Sequence, residues 1–244
     1  MRLYLIALQF LTILPVPVDT RCNKEDLGPA TACFPLVGIT VGGFLALTDL
    51  LLASLLPRPL TDALLVTLLT VITGALHLDG LADVCDGLAA RGSRERFLEI
   101  MKDSRVGAVG AVGLVLGILL KWQALTAVPV QLKLPILLLF PALSRFAMVV
   151  AMTGSRHARQ DGLGAAFIQG VGPFPTMAAT GMTAAAAVAG AGLSGLAAMA
   201  AVAGLALAIR GYFHRRLDGI TGDILGCTNE LAEITGLVFL LACR

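Results

Sequence analysis

The sequence predicts an all-α protein, a polytopic transmembrane helical bundle of about seven spans plus an N-terminal interfacial helix. Of its 244 residues, 57% are hydrophobic and only 14% are charged, whereas a soluble domain carries roughly a quarter charged residues. The mean hydropathy is +0.87. Several uncharged runs also approach the length of about 20 mostly apolar residues that a bilayer-spanning helix needs. The chain, residues 1–244, is therefore predicted to form a single integral membrane domain.

The composition also excludes other classes of protein. A disordered chain is poor in apolar residues, and this one is rich in them. The net charge of +2 does not support nucleic-acid binding through bulk positive charge, so no nucleic-acid partner is expected. The five cysteines form no C-x-x-C pair and have no paired histidine spacing, so neither a zinc site nor a disulfide framework is predicted.

The predicted helical segments follow in order along the chain. The apolar run after Arg2 is too short for a comfortable span and is followed by Pro15 and Pro17, which favours an interfacial helix that stays on the protein. Runs that are largely free of charge predict spans near 32–56, 62–78, 106–128, 134–153, 174–192, 194–210 and 224–242. The alanine- and glycine-rich stretch 178–208 is typical of membrane helices that pack closely.

The basic residues give the orientation, because cytoplasmic loops are enriched in Lys and Arg. If the N-terminus lies inside, two basic residues fall in spans, Lys121 and Arg145, and three fall outside, Arg58, Lys133 and Arg244. The other thirteen fall inside: Arg2, Arg21, Lys24, Arg91, Arg94, Arg96, Lys102, Arg105, Arg156, Arg159, Arg210, Arg215 and Arg216. The polar loops 79–105, 154–173 and 211–223 are therefore expected to open on the cytoplasmic side.

The segment 77–91 carries the most informative pattern. Asp79, Asp83 and Asp86 are spaced i, i+4, i+7, which places three carboxylates on one face of a helix. The residues between them are small or apolar, so the like charges at a membrane boundary need a counter-charge. Carboxylate oxygens suit Mg²⁺, which often completes its coordination with water and substrate phosphate. A metal site is predicted, and a solvated acidic helix end is the alternative.

A second polar segment, residues 94–107, follows the acidic helix. Asp103 is predicted to join the metal cluster from a second helix, and Lys102 and Arg105 beside it suit phosphate or pyrophosphate oxygens. The start of this segment, by contrast, is typical of a solvated, salt-bridged surface. That surface consists of Arg94, Glu95 and Arg96.

Two further polar segments flank later spans. The last apolar helix begins with Asp223, Asn229, Glu230 and Glu233. An acidic residue near a helix N-terminus interacts favourably with the helix dipole, but four polar groups exceed what capping requires. The other segment offers Arg156, His157 and Arg159 as anion contacts. Basic residues at a cytoplasmic flank also serve simply to set the topology, and that alternative stays open.

Several motifs together resemble the cobalamin synthase (adenosylcobinamide-GDP ribazoletransferase) family. They are FLTILPVP (10–17), FPLVG (34–38), TGALHLDGLADVCDGL (73–88), LEIMKDSRVGAVG (98–110) and TGDILG (221–226). The resemblance covers nearly the whole chain in the same order. It implies a Mg²⁺-dependent phosphotransferase that joins adenosylcobinamide-GDP to α-ribazole or its 5′-phosphate, releasing GMP. It also implies a multi-pass protein of the bacterial inner membrane with its active site on the cytoplasmic face.

The resemblance and the residue chemistry together give a predicted site. The catalytic and metal-binding residues are Asp79, Asp83, Asp86 and Asp103. The substrate-binding residues are His77, Arg91, Lys102, Arg105, Arg156, Arg159, Thr221, Asp223, Asn229 and Glu230. Either Asp79 or Asp223 is expected to take the proton of the attacking hydroxyl. The expected partners are the two substrates and membrane lipid, and the oligomeric state, homo-oligomer included, is open.

Two other functions are alternatives. Residues 83–91 match the first half of the D-x-x-D-G-x-x-A-R signature of CDP-alcohol phosphotransferases. The second half of that signature does not fit, because its acidic positions fall on Ser104 and Ala108, and Asp103 is one residue out of step. A secondary transporter would show internal repeats and polar groups near the bilayer midplane. No clear repeat is present, which disfavours a transporter.

Overall fold

The structure is a computed structural model that describes residues 1–16, 24–90, 92–158 and 163–243. Its helices are α1 (Arg2–Leu11), α2 (Lys24–Ala30), α3 (Phe34–Leu52), α4 (Arg58–Ile72), α5 (Leu76–Ala89), α6 (Arg94–Ile100), α7 (Ala108–Thr126), α8 (Val130–Met152), α9 (Leu163–Gly170), α10 (Pro173–Leu217) and α11 (Gly222–Ala242). Within the described ranges, β pairing is limited to one isolated bridge between His157 and Ile220. The predicted all-α class is confirmed.

Five helical segments of the described chain are long and apolar enough to cross a membrane: Glu25–Leu52, Ala108–Thr126, Val130–Met152, Pro173–Leu217 and Gly222–Ala242. A sixth candidate is the pair α4 and α5, which is bent by 89°. The bend corrects the predicted span 62–78, because α4 ends at Ile72 and the turn at Gly74 and Ala75 has positive φ. Residues 76–89 are accordingly a helix of their own and not part of a loop.

Helix α10 consists of two antiparallel arms that meet at Gly192. That residue has φ 59° and ψ −133°, a conformation that glycine adopts far more readily than other residues. The hydroxyls of Thr153 and Thr176 lie 2.8 Å apart, which places the start of the first arm beside the end of α8. The guanidinium of Arg210, near the end of the second arm, lies beside Gly154. The two spans predicted on either side of Gly192 are thus an antiparallel hairpin.

A group of buried charges joins α3, α4 and α8 at the end of the bundle opposite to α5. Lys133 Nζ lies 2.6 Å from Asp62 Oδ1, and Arg58 lies 2.9 Å from Asp49. Lys133 also donates to the carbonyl of Leu125 over 2.7 Å. The prediction that Lys133 lies in an outer loop is therefore wrong. It lies inside α8 and is 2% exposed, because Asp62 neutralises its charge.

The N-terminal segment forms the predicted helix, α1, which packs on α2 and α3. It buries Ile6 and Leu11, and the ring of Phe10 stacks on Phe167 of α9 with centroids 4.2 Å apart. Its position at a membrane interface remains a prediction. The four cysteines in the described residues, Cys33, Cys85, Cys227 and Cys243, are free thiols.

Candidate active site

Helix α5 carries the three predicted carboxylates on one face, as their spacing requires. Asp79 is exposed, and Asp83 and Asp86 are half-buried. At 1.5 Å per residue, the first and last of them are separated by about 10 Å along the helix axis. The carboxylates therefore form a row rather than a compact cluster, and the row is too long for a single small cation to contact all three of them.

Asp86 caps the N-terminus of α7. Its Oδ2 accepts from the N–H of Gly107 over 2.7 Å, and its Oδ1 accepts from the N–H of Gly110 over 2.8 Å. The first N–H groups of a helix lack partners within the helix and interact favourably with a negative charge. Deeper along α7, Gly113 and Gly117 face Cys85 and Leu81 of α5. A structural role for Asp86 was missed from the sequence, although the glycine spacing of α7 was a signal of close packing.

We expect Gly110→Ala to destabilise the protein and to lower its activity. A Cβ at this position would lie 2.3 Å from Asp86 Oδ2, so the carboxylate must leave the cap. Overpacking of this kind costs about 1–3 kcal/mol. Gly181→Ala is the matched control, because a Cβ there has no atom of the described structure within 4 Å. Thermal unfolding in detergent measures the difference, and equal midpoints for the two variants would contradict the cap.

Helix α11 brings the second predicted acidic group to α5. A Cβ on Gly80 would lie 2.5 Å from the carbonyl oxygen of Asp223, so the two backbones touch there. Thr221 caps α11 by accepting from the N–H of Ile224, and its hydroxyl donates to Asp223 Oδ2, both over 3.3 Å. The backbone of Asp223 therefore packs against α5 at Gly80, next to Asp79 in the chain, and no local pattern of the sequence brings these two segments together.

The Asp103 carboxylate is held by its own neighbour. Arg105 donates from Nη2 to Asp103 Oδ2 over 2.6 Å and from Nε to Oδ1 over 3.0 Å. These hydrogen bonds lower the pKa of Asp103 to about 2. Among the described residues, no group of three or more His, Cys, Asp or Glu side chains is arranged to hold a metal ion. The four predicted carboxylates are thus not assembled into one cluster, because Asp86 and Asp103 already bind other groups.

The predicted basic residues differ in their surroundings. Lys102 and Arg105 are exposed, and Arg156 is 78% exposed with its Nη1 3.5 Å from Asp218. These three are accessible to a phosphate group. The other two predicted arginines, Arg91 and Arg159, lie outside the described residues.

Arg94 is exposed, as the predicted solvated surface at 94–96 requires, but its guanidinium also binds two carbonyls that are remote in the chain. Its Nε donates to the carbonyl of Leu217 over 2.8 Å, and its Nη2 donates to the carbonyl of Ala158 over 3.1 Å. Arg96, by contrast, forms the exposed ion pair that was expected, 2.7 Å from Glu99. Nothing in the local sequence distinguishes these two arginines, because the partners of Arg94 are remote in the chain.

Three predicted substrate-binding residues lie inside the bundle: His77, Asn229 and Glu230. They are 1%, 0% and 4% exposed. Glu230 and Asn229 belong to a network of buried charges in which Lys121 Nζ lies 2.8 Å from Glu230 and 2.5 Å from Glu233. Arg145 also bonds Glu233, and Asn229 donates to it over 3.2 Å. The structure thus places these three residues in the packing between helices and not on a surface that a large polar substrate reaches.

Comparison with known proteins identifies the family. A family model described as cobalamin-5-phosphate synthase matches residues 3–241. The chain belongs to the cobalamin-5-phosphate synthase family. The expectation drawn from the motifs of the sequence is confirmed, and this family member is a membrane-embedded transferase of cobalamin biosynthesis.

Curated relatives of this synthase family are named adenosylcobinamide-GDP ribazoletransferase. The relative from Geotalea daltonii is 54% identical over 242 residues, which cover 99% of this chain and 98% of the relative. The relative from Syntrophobacter fumaroxidans is 40% identical over 231 residues, 93% of each chain. The relative from Clostridium novyi is 32% identical over 245 residues, 100% of this chain and 98% of the relative. No solved structure matches the chain.

Proposed function

We propose that the protein is a Mg²⁺-dependent adenosylcobinamide-GDP ribazoletransferase. It joins adenosylcobinamide-GDP to α-ribazole or its 5′-phosphate and releases GMP. The observation that carries this proposal is the carboxylate row of α5, held between α7 and α11 with Asp223 beside it. A row of carboxylates at the end of an apolar bundle suits the charge neutralisation that transfer of a phosphoryl group requires.

The donor set of α5 fits Mg²⁺. Asp79 and Asp83 are one turn apart, and Mg²⁺ in phosphoryl-transfer sites is typically bound by one or two carboxylates together with water and substrate phosphate. Asp86 also fits, since each carboxylate oxygen has a second lone pair beyond the one that caps α7. Asp103 is proposed as a further ligand that exchanges its bond to Arg105 for the metal. Bound Mg²⁺ supplies neutralisation of the charge on the transferred phosphoryl group and on the departing GMP.

The side chains of the protein account for the remaining steps. A ribazole hydroxyl forms a bond to the phosphorus nearer the corrinoid, and the bond from that phosphorus to the bridging oxygen of GMP breaks. The hydroxyl proton passes to a carboxylate, Asp79 or Asp223. Lys102, Arg105 and Arg156 bind the phosphate oxygens, and orientation of the two substrates supplies a large part of the rate enhancement.

We further propose that the site faces the cytoplasm across a bacterial inner membrane. The proposed residues lie at one end of the bundle, where α5, α6 and α10 end and α7 and α11 begin. Most of the basic residues of the sequence also fall at the ends assigned to the cytoplasm, in accord with the positive-inside rule. Both substrates are large and polar, so a site at the membrane surface suits them.

Purified protein in detergent tests the proposal directly. The protein is incubated with adenosylcobinamide-GDP, Mg²⁺ and either α-ribazole or its 5′-phosphate, and GMP and the corrinoid product are quantified. We expect GMP and product in equal amounts, and no turnover when the divalent cation is chelated. Turnover of a CDP-alcohol, with no reaction of the corrinoid substrate, would contradict the proposal and favour the CDP-alcohol phosphotransferase alternative.

A further inference from the structure

We propose that Arg94 is a positioning residue of the active site, an inference that rests on the proposed function. Its guanidinium links α6, which follows the carboxylate helix, to the segment after α8 and to the C-terminal end of α10. One side chain thereby holds together parts of the site that are as much as 123 positions apart in the sequence. Arg94 acts on the reaction through these segments, because its bonds are to backbone carbonyls and not to reacting groups.

The two segments that Arg94 binds are already paired with each other. The N–H of Ala158 donates to the carbonyl of Ile220, and the N–H of Ile220 donates to the carbonyl of Arg156, both over 2.9 Å. Nη2 of Arg94 bonds one side of this pairing, at Ala158, and Nε bonds the other side, at Leu217. The guanidinium holds two adjacent N–H donors in one rigid plane, which allows it to bind both carbonyls at once. A lysine ammonium has no such planar pair of donors.

The carbonyl of Leu217 also favours a positively charged donor for an electrostatic reason. Leu217 is the last residue of α10, and the carbonyls at the end of a helix carry the negative end of its dipole. A cationic donor at this position is therefore favourable. The bond from Arg94 secures the end of α10 immediately before the chain turns toward α11.

Helix α6 is itself packed firmly against α5 and α10, so the backbone that carries Arg94 is held in place. Phe97 is 1% exposed and packs against Gly87 of α5, where a Cβ would lie 2.8 Å from its ring. On the side of α10, the Phe97 ring lies 5.9 Å from that of Phe213, and the Arg216 guanidinium lies 5.1 Å from its centroid. The aromatic and cation–π contacts fix α6 against both helices.

The segments held by Arg94 carry groups of the proposed site. One contains Arg156, which is proposed to bind phosphate. The other leads directly into Thr221 and Asp223 at the start of α11. When the bonds from Arg94 are lost, these groups are less well positioned before substrate arrives. We expect weaker substrate binding to result, with a smaller effect on the chemical step.

The test compares Arg94→Ala with Arg96→Ala by two readouts. In Arg94→Ala we expect hydrogen exchange of the Ala158 and Ile220 amides to be at least about tenfold faster, since charge-assisted hydrogen bonds are lost. The KM for adenosylcobinamide-GDP should rise about tenfold, while kcat falls less than about threefold. Arg96→Ala removes the same charge from an exposed pair in the same helix and should leave both readouts as in the wild type.

Arg94→Lys separates charge from geometry. This variant retains the positive charge but lacks the planar pair of guanidinium donors. We therefore expect a KM between those of the wild type and Arg94→Ala. Wild-type exchange of both amides in Arg94→Ala would overturn the inference. Faster exchange with an unchanged KM would also overturn it, because Arg94 would then stabilise the fold without positioning the site. Absence of corrinoid turnover in the wild type would instead refute the proposed function, while the exchange measurement would still report whether Arg94 holds the two segments.

Discussion

We expect Asp83→Asn to abolish turnover, with a loss of at least about 10³-fold, while the protein stays folded in the membrane. Asp83 stands in the middle of the carboxylate row, one turn from Asp79 and about one turn from Asp86. The proposed cation would therefore interact with its charge wherever it is bound along the row. Loss of several kcal/mol of metal-mediated stabilisation corresponds to a rate loss of this size. Release of GMP by the purified variant, followed across a range of Mg²⁺ concentrations, measures the effect.

The control for Asp83→Asn is Glu99→Gln. Glu99 is an exposed carboxylate in α6 that pairs with Arg96, so this variant removes the same charge outside the row. We expect it to retain wild-type turnover. Thermal unfolding of Asp83→Asn in detergent establishes whether the fold is intact. Turnover near the wild-type rate at saturating Mg²⁺ would show that Asp83 does not serve as a metal ligand.

We expect Glu233→Ala to destabilise the protein by about 3–5 kcal/mol, because it leaves buried cations without a partner. Glu233, in α11, forms ion pairs with Lys121 and Arg145 and accepts a hydrogen bond from Asn229. All four side chains belong to residues that are at most 2% exposed. In the variant, Glu230 remains to balance two buried positive charges. For a chain of this length, such a loss lowers the Tm by at least about 6 °C. Thermal unfolding of detergent-solubilised protein measures it.

A double variant tests whether charge imbalance is the cause. Lys121→Met together with Glu230→Gln removes one charge of each sign. This pair should be less destabilised than the sum of the two single variants, since neither charge is left alone. Simple additivity of the two losses would show that Lys121 and Glu230 contribute independently. The destabilisation of Glu233→Ala would then require an explanation other than unpaired charge.

The sequence was informative where a property belongs to a single segment. The apolar windows located the spans, because a bilayer requires a continuous apolar length whatever the neighbouring helices are. Both arms of α10 were predicted in this way, although Gly192 was not identified as the point of reversal. The i, i+4, i+7 spacing placed Asp79, Asp83 and Asp86 on one face, since helical periodicity is local.

The apolar windows gave a wrong location for a charged residue when its charge is neutralised by a partner that is remote in the chain. Lys133 is predicted to lie in an outer loop because the spans are read as runs largely free of charge, and the nearest run begins at residue 134. Its partner Asp62 lies on α4, and no feature of the local sequence around Lys133 reveals the pair. Asn229 and Glu230 are predicted to bind substrate because four polar groups at the start of one span exceed what helix capping requires. Their partners, Lys121 and Glu233, are identified only by the packing of α7 on α11 and by the turn of α11 itself.

By itself, the sequence determined the membrane setting, the order of the helices, the carboxylate face of α5 and the family. These depend on composition, periodicity and short motifs, each of which is read from neighbouring residues. Only the tertiary structure assigned Asp86 to the cap of α7, Arg94 to the segment after α8 and the end of α10, and Glu233 to two buried cations. Those pairings depend on how helices distant in the chain approach one another, and a local pattern does not encode that geometry.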